Sequence, residues 1–171
     1  EKIRAAGIIP GLHFLQTHIG LDTAYVTPHA DHRLGLRRHF TLSRPLDASG
    51  GDEVWVEEPT VDVPERPGMR VLMFGGELMS YESATTEPPY RFRGVRRGAL
   101  RTEAVPHRRG EIGGVLDLSE YGTPGSCYVS QDSSLQDEIA DKIAAFWRCG
   151  FRFVYMDGSE GVQPPCDRNV A

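Results

Sequence analysis

The chain has 171 residues, of which 39% are hydrophobic and 25% charged, so it can form a globular core and is not a disordered chain. A net charge of -5 argues against a general binder of nucleic acid or anionic membranes, and the basic stretch at residues 91–109 is interpreted as a solvated face. No apolar run reaches membrane-spanning length. The three cysteines contain no C-x-x-C pair, so idle thiols are expected rather than a zinc knuckle or a disulfide scaffold.

The first residues indicate a helix that leads directly into a strand. Residues 1–6 have a helical pattern, Gly7 suits the left-handed position that ends a helix, and residues 8–13 are typical of a short strand ending at His13. The chain lacks an initiator Met and opens within this pattern, so we expect a fragment or processed piece of a larger protein, with any export signal outside it.

The middle of the chain has a different character. Between residues 39 and 118 helical periodicity is almost absent, and short alternating runs recur at residues 54–56, 70–74, 78–81 and 90–95. Turn-forming pairs such as Gly75-Gly76 separate these runs. The pattern predicts a compact antiparallel β-module inserted after the first strand.

The C-terminal part repeats the order of helix, glycine, strand and polar residue. An apolar stripe at helical spacing predicts a helix over residues 134–149, capped by Ser133 or Ser134 and ended by Gly150. Residues 151–156 lack alternation, which favours a buried parallel strand that delivers Asp157 to its end. Two such units predict parallel strands with His13 and Asp157 on the same face.

The predicted fold class is therefore α/β, with an inserted antiparallel β-module. We divide the chain into a βα segment at residues 1–38, the β-rich insertion at residues 39–118, and a loop, helix and strand at residues 119–171. The last strand is expected to end at the active site.

Asp157 and Glu160 are the candidate catalytic residues. A carboxylate at the end of an apolar strand must be solvated or paired, because burying it alone would be very costly. Glu160 follows in a Gly-flanked loop and would bring a second carboxylate to the same edge. Two carboxyl groups there favour acid/base or nucleophilic chemistry on a polar substrate. The structural alternatives are a turn-forming Asp-Gly and an ordinary exposed Glu.

His13 and His18 are the candidate substrate-binding histidines. Their five-residue spacing matches neither a helical zinc pair nor alternate positions of a strand, so hydrogen bonding to a polar ligand is favoured over metal binding. Gln131 and Asp132 precede the long helix and are candidate ligand contacts beside a capping role, and Tyr155 is a candidate sugar-stacking ring beside a packing role.

Common nucleotide, serine hydrolase and zinc protease motifs are absent from the sequence. It contains no G-x-S-x-G, Walker, G-x-G-x-x-G or H-E-x-x-H pattern. We therefore predict neither a cofactor nor a metal. A metal-dependent hydrolase that uses His13, His18 and Asp157 remains a third hypothesis.

Residues 5–13 (AAGIIPGLH), 137–144 (DEIADKIA) and 155–161 (YMDGSEG) together resemble bacterial (β/α)8 glycoside hydrolases of the α-galactosidase and α-L-fucosidase-like group. The resemblance implies part of a TIM-type barrel, with Asp157 as the nucleophile of a retaining mechanism and with His13 and His18 binding sugar hydroxyls. A complete barrel takes about 250 residues, so this chain would supply only part of one.

The insertion carries a second resemblance. Residues 74–81 (FGGELMSY), 95–102 (VRRGALRT) and 107–110 (HRRG) are similar to small β-modules of phage-tail proteins and of some bacterial glycosidase-like proteins. Those modules usually have Gly-Thr where this chain has Arg101-Thr102. From the residues themselves, Glu77, Arg97 and His107 are interpreted as a structural polar cluster that ties strands together.

The sequence thus predicts a bacterial glycosidase that degrades a polysaccharide or glycoconjugate. The alternative is a non-catalytic carbohydrate-binding or phage-tail-like structural module. The predicted partners are a carbohydrate substrate and either the remainder of a larger chain or further copies of this one, without nucleic acid or membrane. The glycosidase prediction favours a periplasmic or extracellular location.

Overall fold

The computed structural model describes residues 2–119 and 125–157. These residues form two compact units. The terminal unit combines the two ends of the chain, up to residue 18 and from residue 129 onward, and the central unit comprises residues 19–128. The predicted division at residues 38 and 118 stays a prediction.

Short strands dominate the described residues. The elements are, in chain order, α1 (Lys2–Ala5), β1 (Gly11–Phe14), β2 (His18–Gly20), β3 (Leu36–Thr41), β4 (Glu53–Trp55), β5 (Val71–Phe74), β6 (Glu77–Ser80), β7 (Ser83–Ala84), β8 (Arg91–Arg93), a 3-10 turn (Ala99–Arg101), β9 (Ile112–Leu116), β10 (Ser126–Tyr128), α2 (Leu135–Arg148) and β11 (Phe153–Met156). Within the described ranges, no helix has the length and apolar character needed to cross a bilayer.

The terminal unit is built on one parallel strand pair. β1 and β11 pair in parallel, with Gly11 opposite Phe153 and Phe14 opposite Met156. The helix α2 precedes β11, and the rings of Phe14 and Phe146 lie 6.0 Å apart. Gly150 adopts a φ of 104° directly after this helix, a conformation that glycine takes without the steric cost of a Cβ atom. The predicted helix, its glycine stop and the parallel pairing are confirmed.

The central unit contains the antiparallel sheets that its alternating sequence predicts. These are a four-stranded sheet with the order β3-β9-β5-β6 and a three-stranded sheet with the order β4-β8-β7. β2 and β10 form a separate pair. The core between the two antiparallel sheets includes Phe40, Tyr81 and Phe92, whose rings meet edge to face at centroid distances of 5.1 and 4.8 Å. This geometry favours aromatic packing beyond the burial of area alone.

The barrel prediction is wrong. Strands make up 33% of the structure and helix only 13%, and the strands lie in several small sheets. A (β/α)8 barrel requires eight parallel strands that alternate with helices. β1 and β11 pair in parallel, but the four-stranded and three-stranded sheets of the central unit are antiparallel. The described residues form a mostly β structure with one long helix.

The expected burial of the last strand is also wrong. Phe153, Tyr155 and Met156 in β11 are 57%, 52% and 45% exposed. An apolar run without alternation is typical of a strand covered on both faces, but among the described residues this strand pairs with β1 alone. The apolar run therefore predicted the strand correctly but predicted its burial incorrectly.

Candidate functional site

The ends of the two parallel strands bring His13 and Asp157 together. His13 lies in β1 opposite Tyr155, and Asp157 directly follows β11. The Asp157 backbone N–H donates to the Phe14 carbonyl at 2.8 Å, which continues the strand pairing to this residue. The carboxyl ends of parallel strands share one edge of a sheet, and this is the reason that residues 144 positions apart meet.

The two side chains are hydrogen-bonded. His13 Nε2 and Asp157 Oδ2 are 2.9 Å apart, and since an ionised carboxylate only accepts, the imidazole N–H donates. The His13 side chain is 60% exposed and the Asp157 side chain 37% exposed. A solute can therefore reach both groups.

Tyr155 adds an aromatic surface to this pair. Its ring centroid lies 5.2 Å from that of His13, with the two planes inclined at 50°. An aromatic face beside a carboxylate and an imidazole offers one apolar surface and several hydrogen-bonding groups within a small area. This combination suits a ligand that carries both C–H and hydroxyl groups, as a sugar ring does.

The other predicted site residues have separate local partners. The His18 ring Nδ1 and the Thr17 hydroxyl are hydrogen-bonded at 3.0 Å, and burial lowers the pKa of His18, which favours the neutral imidazole. Gln131 Nε2 donates to the Val129 carbonyl at 3.2 Å. Asp132 is exposed in the turn before α2. Glu160 lies outside the described residues.

The predicted cap of the long helix is met only in part. Ser134 occupies the capping position without a side-chain capping bond. The hydroxyl of Ser133 accepts a long hydrogen bond of 3.4 Å from the Leu135 N–H. Ser133 therefore supplies a weak cap.

Metal-ligating side chains do not cluster in the described residues. In residues 2–119 and 125–157, no group of three or more His, Cys, Asp or Glu side chains is arranged to hold a metal ion. His13, His18 and Asp157 are therefore not assembled as a three-ligand site in this part of the chain.

A second polar cluster lies inside the central unit around Glu77. Its side chain has no exposed surface and accepts from Arg97 Nε at 2.6 Å, Arg97 Nη2 at 2.7 Å and His107 Nε2 at 3.0 Å. The backbone N–H groups of Gly98 and Val105 donate to the same carboxylate at 3.1 and 2.9 Å. These contacts join three segments of chain, as expected of a structural cluster.

Sequence reasoning missed one member of this cluster. Glu111 Oε1 lies 2.8 Å from His107 Nδ1, so both ring nitrogens of the buried His107 face carboxylates. Carboxylates accept only, so both bonds form together when the ring carries both N–H protons. The four-residue spacing of His107 and Glu111 was a local signal that could have identified the contact.

Two cavities were also missed by sequence reasoning. A mostly apolar groove of 430 Å³ lies in the terminal unit between α2 and β11, lined by residues such as Ile139, Ile143 and Val154. A second cavity of 590 Å³ lies in the central unit, where Arg70, Ser80 and Arg96 contribute to its wall. The helical stripe of α2 was predicted, but the strand residue Val154 that faces it across the groove comes from another element, and Arg70, Ser80 and Arg96 are far apart in the chain.

Comparisons with protein-family models, with curated proteins and with solved structures found no match for this chain.

Proposed function

We propose that the protein is a retaining glycoside hydrolase in which Asp157 is the nucleophile and His13 orients its carboxylate. The observation that carries this proposal is the 2.9 Å hydrogen bond between His13 Nε2 and Asp157 Oδ2 at the shared end of β1 and β11. A hydrogen bond to one carboxylate oxygen holds the side chain in one rotamer, and a fixed orientation suits a nucleophile.

The chemistry requires an ionised carboxylate and a separate proton donor. Asp157 would form a bond to the anomeric carbon while the glycosidic C–O bond breaks and a general acid protonates the departing oxygen. Water then attacks the anomeric carbon of the glycosyl-enzyme and releases Asp157. Glu160 is the proposed acid and base. The Tyr155 ring beside His13 would support the sugar.

A second candidate function is carbohydrate binding without catalysis. The exposure of His13 and Asp157, 60% and 37% of their side-chain surface, favours this candidate. A displacement reaction gains from a site that excludes water, whereas a weak sugar-binding surface does not need one. The two candidates share the same residues and differ in whether a glycosidic bond is broken.

Hydrolysis of aryl glycosides by the full chain separates these candidates. We expect release of the phenol from at least one member of an α- and β-linked panel, with Asp157→Asn lowering kcat by several orders of magnitude. Asp141→Asn, an exposed change on α2, is the matched control and should leave kcat unchanged. Sugar binding without hydrolysis would reject the glycosidase proposal and favour the binding module.

A further inference from the structure

The second cavity has the size of a ligand site. Its volume is 590 Å³, within the range of about 300 to 1,000 Å³ that is typical of small-molecule pockets. The wall belongs entirely to the central unit and includes Arg70, Ser80, Tyr81, Glu82 and Arg96. None of these residues takes part in the proposed glycosidase site.

Positive charge is in excess among the residues that line this cavity. Arg70 donates through Nη1 and Nη2 to the carbonyls of Glu82 and Glu65, which anchors its guanidinium to the backbone without neutralising it. Arg96 makes one long contact of 3.4 Å with the Glu82 carboxylate and remains 79% exposed. The lining residues therefore carry two positive charges and one negative charge. The exposed ion pair between Arg96 and Glu82 contributes little to stability, so a ligand can displace it easily.

Arg70 retains further hydrogen-bonding capacity. A guanidinium has five N–H groups in a planar fork, and only the two terminal nitrogens of Arg70 are engaged by backbone carbonyls among the described residues. Planar forks of this type match the two oxygens of a carboxylate.

Two neutral hydroxyl groups accompany these cations. The Ser80 backbone exchanges hydrogen bonds of 3.0 and 2.8 Å with that of Arg96, and within the described residues its side-chain hydroxyl is not engaged. Tyr81 is only 5% exposed, and its phenol has no hydrogen-bond partner there. Burial raises the pKa of Tyr81 to about 12 against the opposing positive charges of Arg70 and Arg37, so the phenol keeps its proton at neutral pH. A buried hydroxyl without a partner is uncommon in native proteins.

The wall beside these groups has an unusual backbone. Leu100 lines the cavity with a φ of 53°, and the next residue, Arg101, has a φ of 65°. Residues other than glycine rarely adopt this region, and such positions persist where the surrounding structure holds them and cluster at binding sites. The Thr27 hydroxyl holds this turn by donating to the Arg101 carbonyl at 3.0 Å, and the buried Thr102 hydroxyl accepts from the Leu78 N–H at 3.0 Å.

We propose that this cavity is a binding site for the carboxylate group of a small acidic ligand, held by Arg70 and Arg96 with the Ser80 hydroxyl as a neutral contact. The cations give selectivity for an anion, the forked guanidinium favours a planar one, and the apolar wall at Leu100 accommodates the remainder of the ligand. The site does not depend on the proposed glycosidase activity.

Titration of the full chain with glucuronate tests this site, with glucose as the matched neutral sugar. Backbone and Arg side-chain NMR signals report binding at Ser80, Gly94 and Arg96. We expect saturable chemical-shift changes with glucuronate. The affinity for glucose should be lower by about tenfold or more, which corresponds to the loss of one charge-assisted contact. Equal shifts from both sugars, or no saturable shift from glucuronate, would overturn the proposal.

Variants locate the binding without disturbing the fold. Arg96→Ala and Ser80→Ala alter a largely exposed side chain and an unengaged hydroxyl, and each should weaken glucuronate binding about three- to tenfold. Arg109→Ala removes an exposed arginine away from the lining residues and should leave binding unchanged. Arg70→Lys keeps the charge but loses the fork and should also weaken binding. If Arg96→Ala and Ser80→Ala both bind glucuronate as tightly as the unaltered chain does, this cavity is not the binding site.

Discussion

Glu77 and Arg97 form a two-point ion pair inside the central unit, with the guanidinium Nε and Nη2 at 2.6 and 2.7 Å from the two carboxylate oxygens. The Glu77 side chain has no exposed surface and that of Arg97 is 10% exposed. Arg97 also donates to the carbonyls of Asp47 and Val105 at 2.6 Å. One guanidinium thus links the β6 strand to two loops.

Replacing Glu77 should destabilise the protein strongly. Glu77→Gln leaves the Arg97 charge buried and uncompensated, and breaking buried pairs in this way costs about 3 to 5 kcal/mol. Urea unfolding measures the change in the free energy of unfolding. Glu87→Gln, at an exposed position, is the control and should shift that free energy by less than about 0.5 kcal/mol. A Glu77→Gln shift as small as the control would show that the cluster does not stabilise the fold.

The same carboxylate predicts a loss of stability in acid. Burial opposes ionisation of Glu77, but donation from Arg97, Val105, His107 and Gly98 outweighs it and holds the pKa below its ordinary 4.5. The unfolded chain therefore binds a proton at higher pH than the folded chain does. The stabilisation is complete above pH 4.5 and is lost as pH falls toward the lower folded-state pKa.

Unfolding curves at successive pH values test this dependence. Asp31 and Glu58 also have lowered pKa values and contribute in the same direction, so the comparison with a variant is needed. Glu77→Gln should reduce the slope of stability against pH below 4.5, whereas Glu87→Gln should retain it. If stability falls with pH equally in the unaltered chain and in both variants, Glu77 is not a source of the acid sensitivity.

Gly113 should resist substitution because strands pack closely around it. A Cβ atom built there would lie 2.2 Å from the Met73 carbonyl oxygen and 2.4 Å from the Phe74 ring. Gly113→Ala should therefore lower the free energy of unfolding by about 1 to 3 kcal/mol, as overpacking does. At Gly50 the nearest neighbour of such an atom is 3.8 Å away, so Gly50→Ala is the control. Equal stability of the two variants would refute the close packing.

Cys127 should be protected from alkylation in the folded protein. Burial, and secondarily the charge of Asp117, raises the pKa of its thiol to about 12, so very little thiolate is present at pH 8. Cys149 is exposed and supplies an internal comparison. Iodoacetamide labelling followed by peptide mass spectrometry should show Cys149 modified before Cys127, and Cys127 modified only on unfolding. Equal rates in the folded state would contradict the burial of Cys127.

Local patterns predicted those features that depend on neighbouring residues. Gly7 and Gly150 ended helices, Gly75-Gly76 formed the turn between β5 and β6, and alternation marked the central strands. The parallel pairing of the strands ending near His13 and Asp157 also followed, because each comes after a helix and a glycine. These signals act over a few residues and need no knowledge of the whole fold.

Features that depend on which further strands surround an element could not be predicted. An apolar run such as residues 153–156 identifies a strand but does not show how many strands flank it. The predictions of a barrel and of a buried Tyr155 were therefore both wrong. The cavity groups Arg70, Ser80 and Arg96 come from separate strands and turns, and only their pairing brings them together. The barrel was expected because of the family resemblance, and the local signals themselves did not predict it.

His13 should affect catalysis by positioning Asp157. His13→Ala removes the hydrogen bond to Oδ2 and should lower kcat on an aryl glycoside about 10- to 100-fold, because the carboxylate is no longer held in one rotamer. His13→Asn or His13→Gln, which can donate a hydrogen bond, should restore part of the rate. An unchanged kcat in His13→Ala would show that the pair has no role in the reaction.

The central claim is that Asp157 is a glycosidase nucleophile, and covalent labelling tests it most directly. The full chain is incubated with a panel of 2-deoxy-2-fluoro glycosyl fluorides, and its intact mass and peptides are then measured. We predict a mass increase of one fluoroglycosyl group on the peptide that carries Asp157, absent in Asp157→Asn and present in Asp141→Asn. A label on another residue, or none across the panel, would contradict the claim.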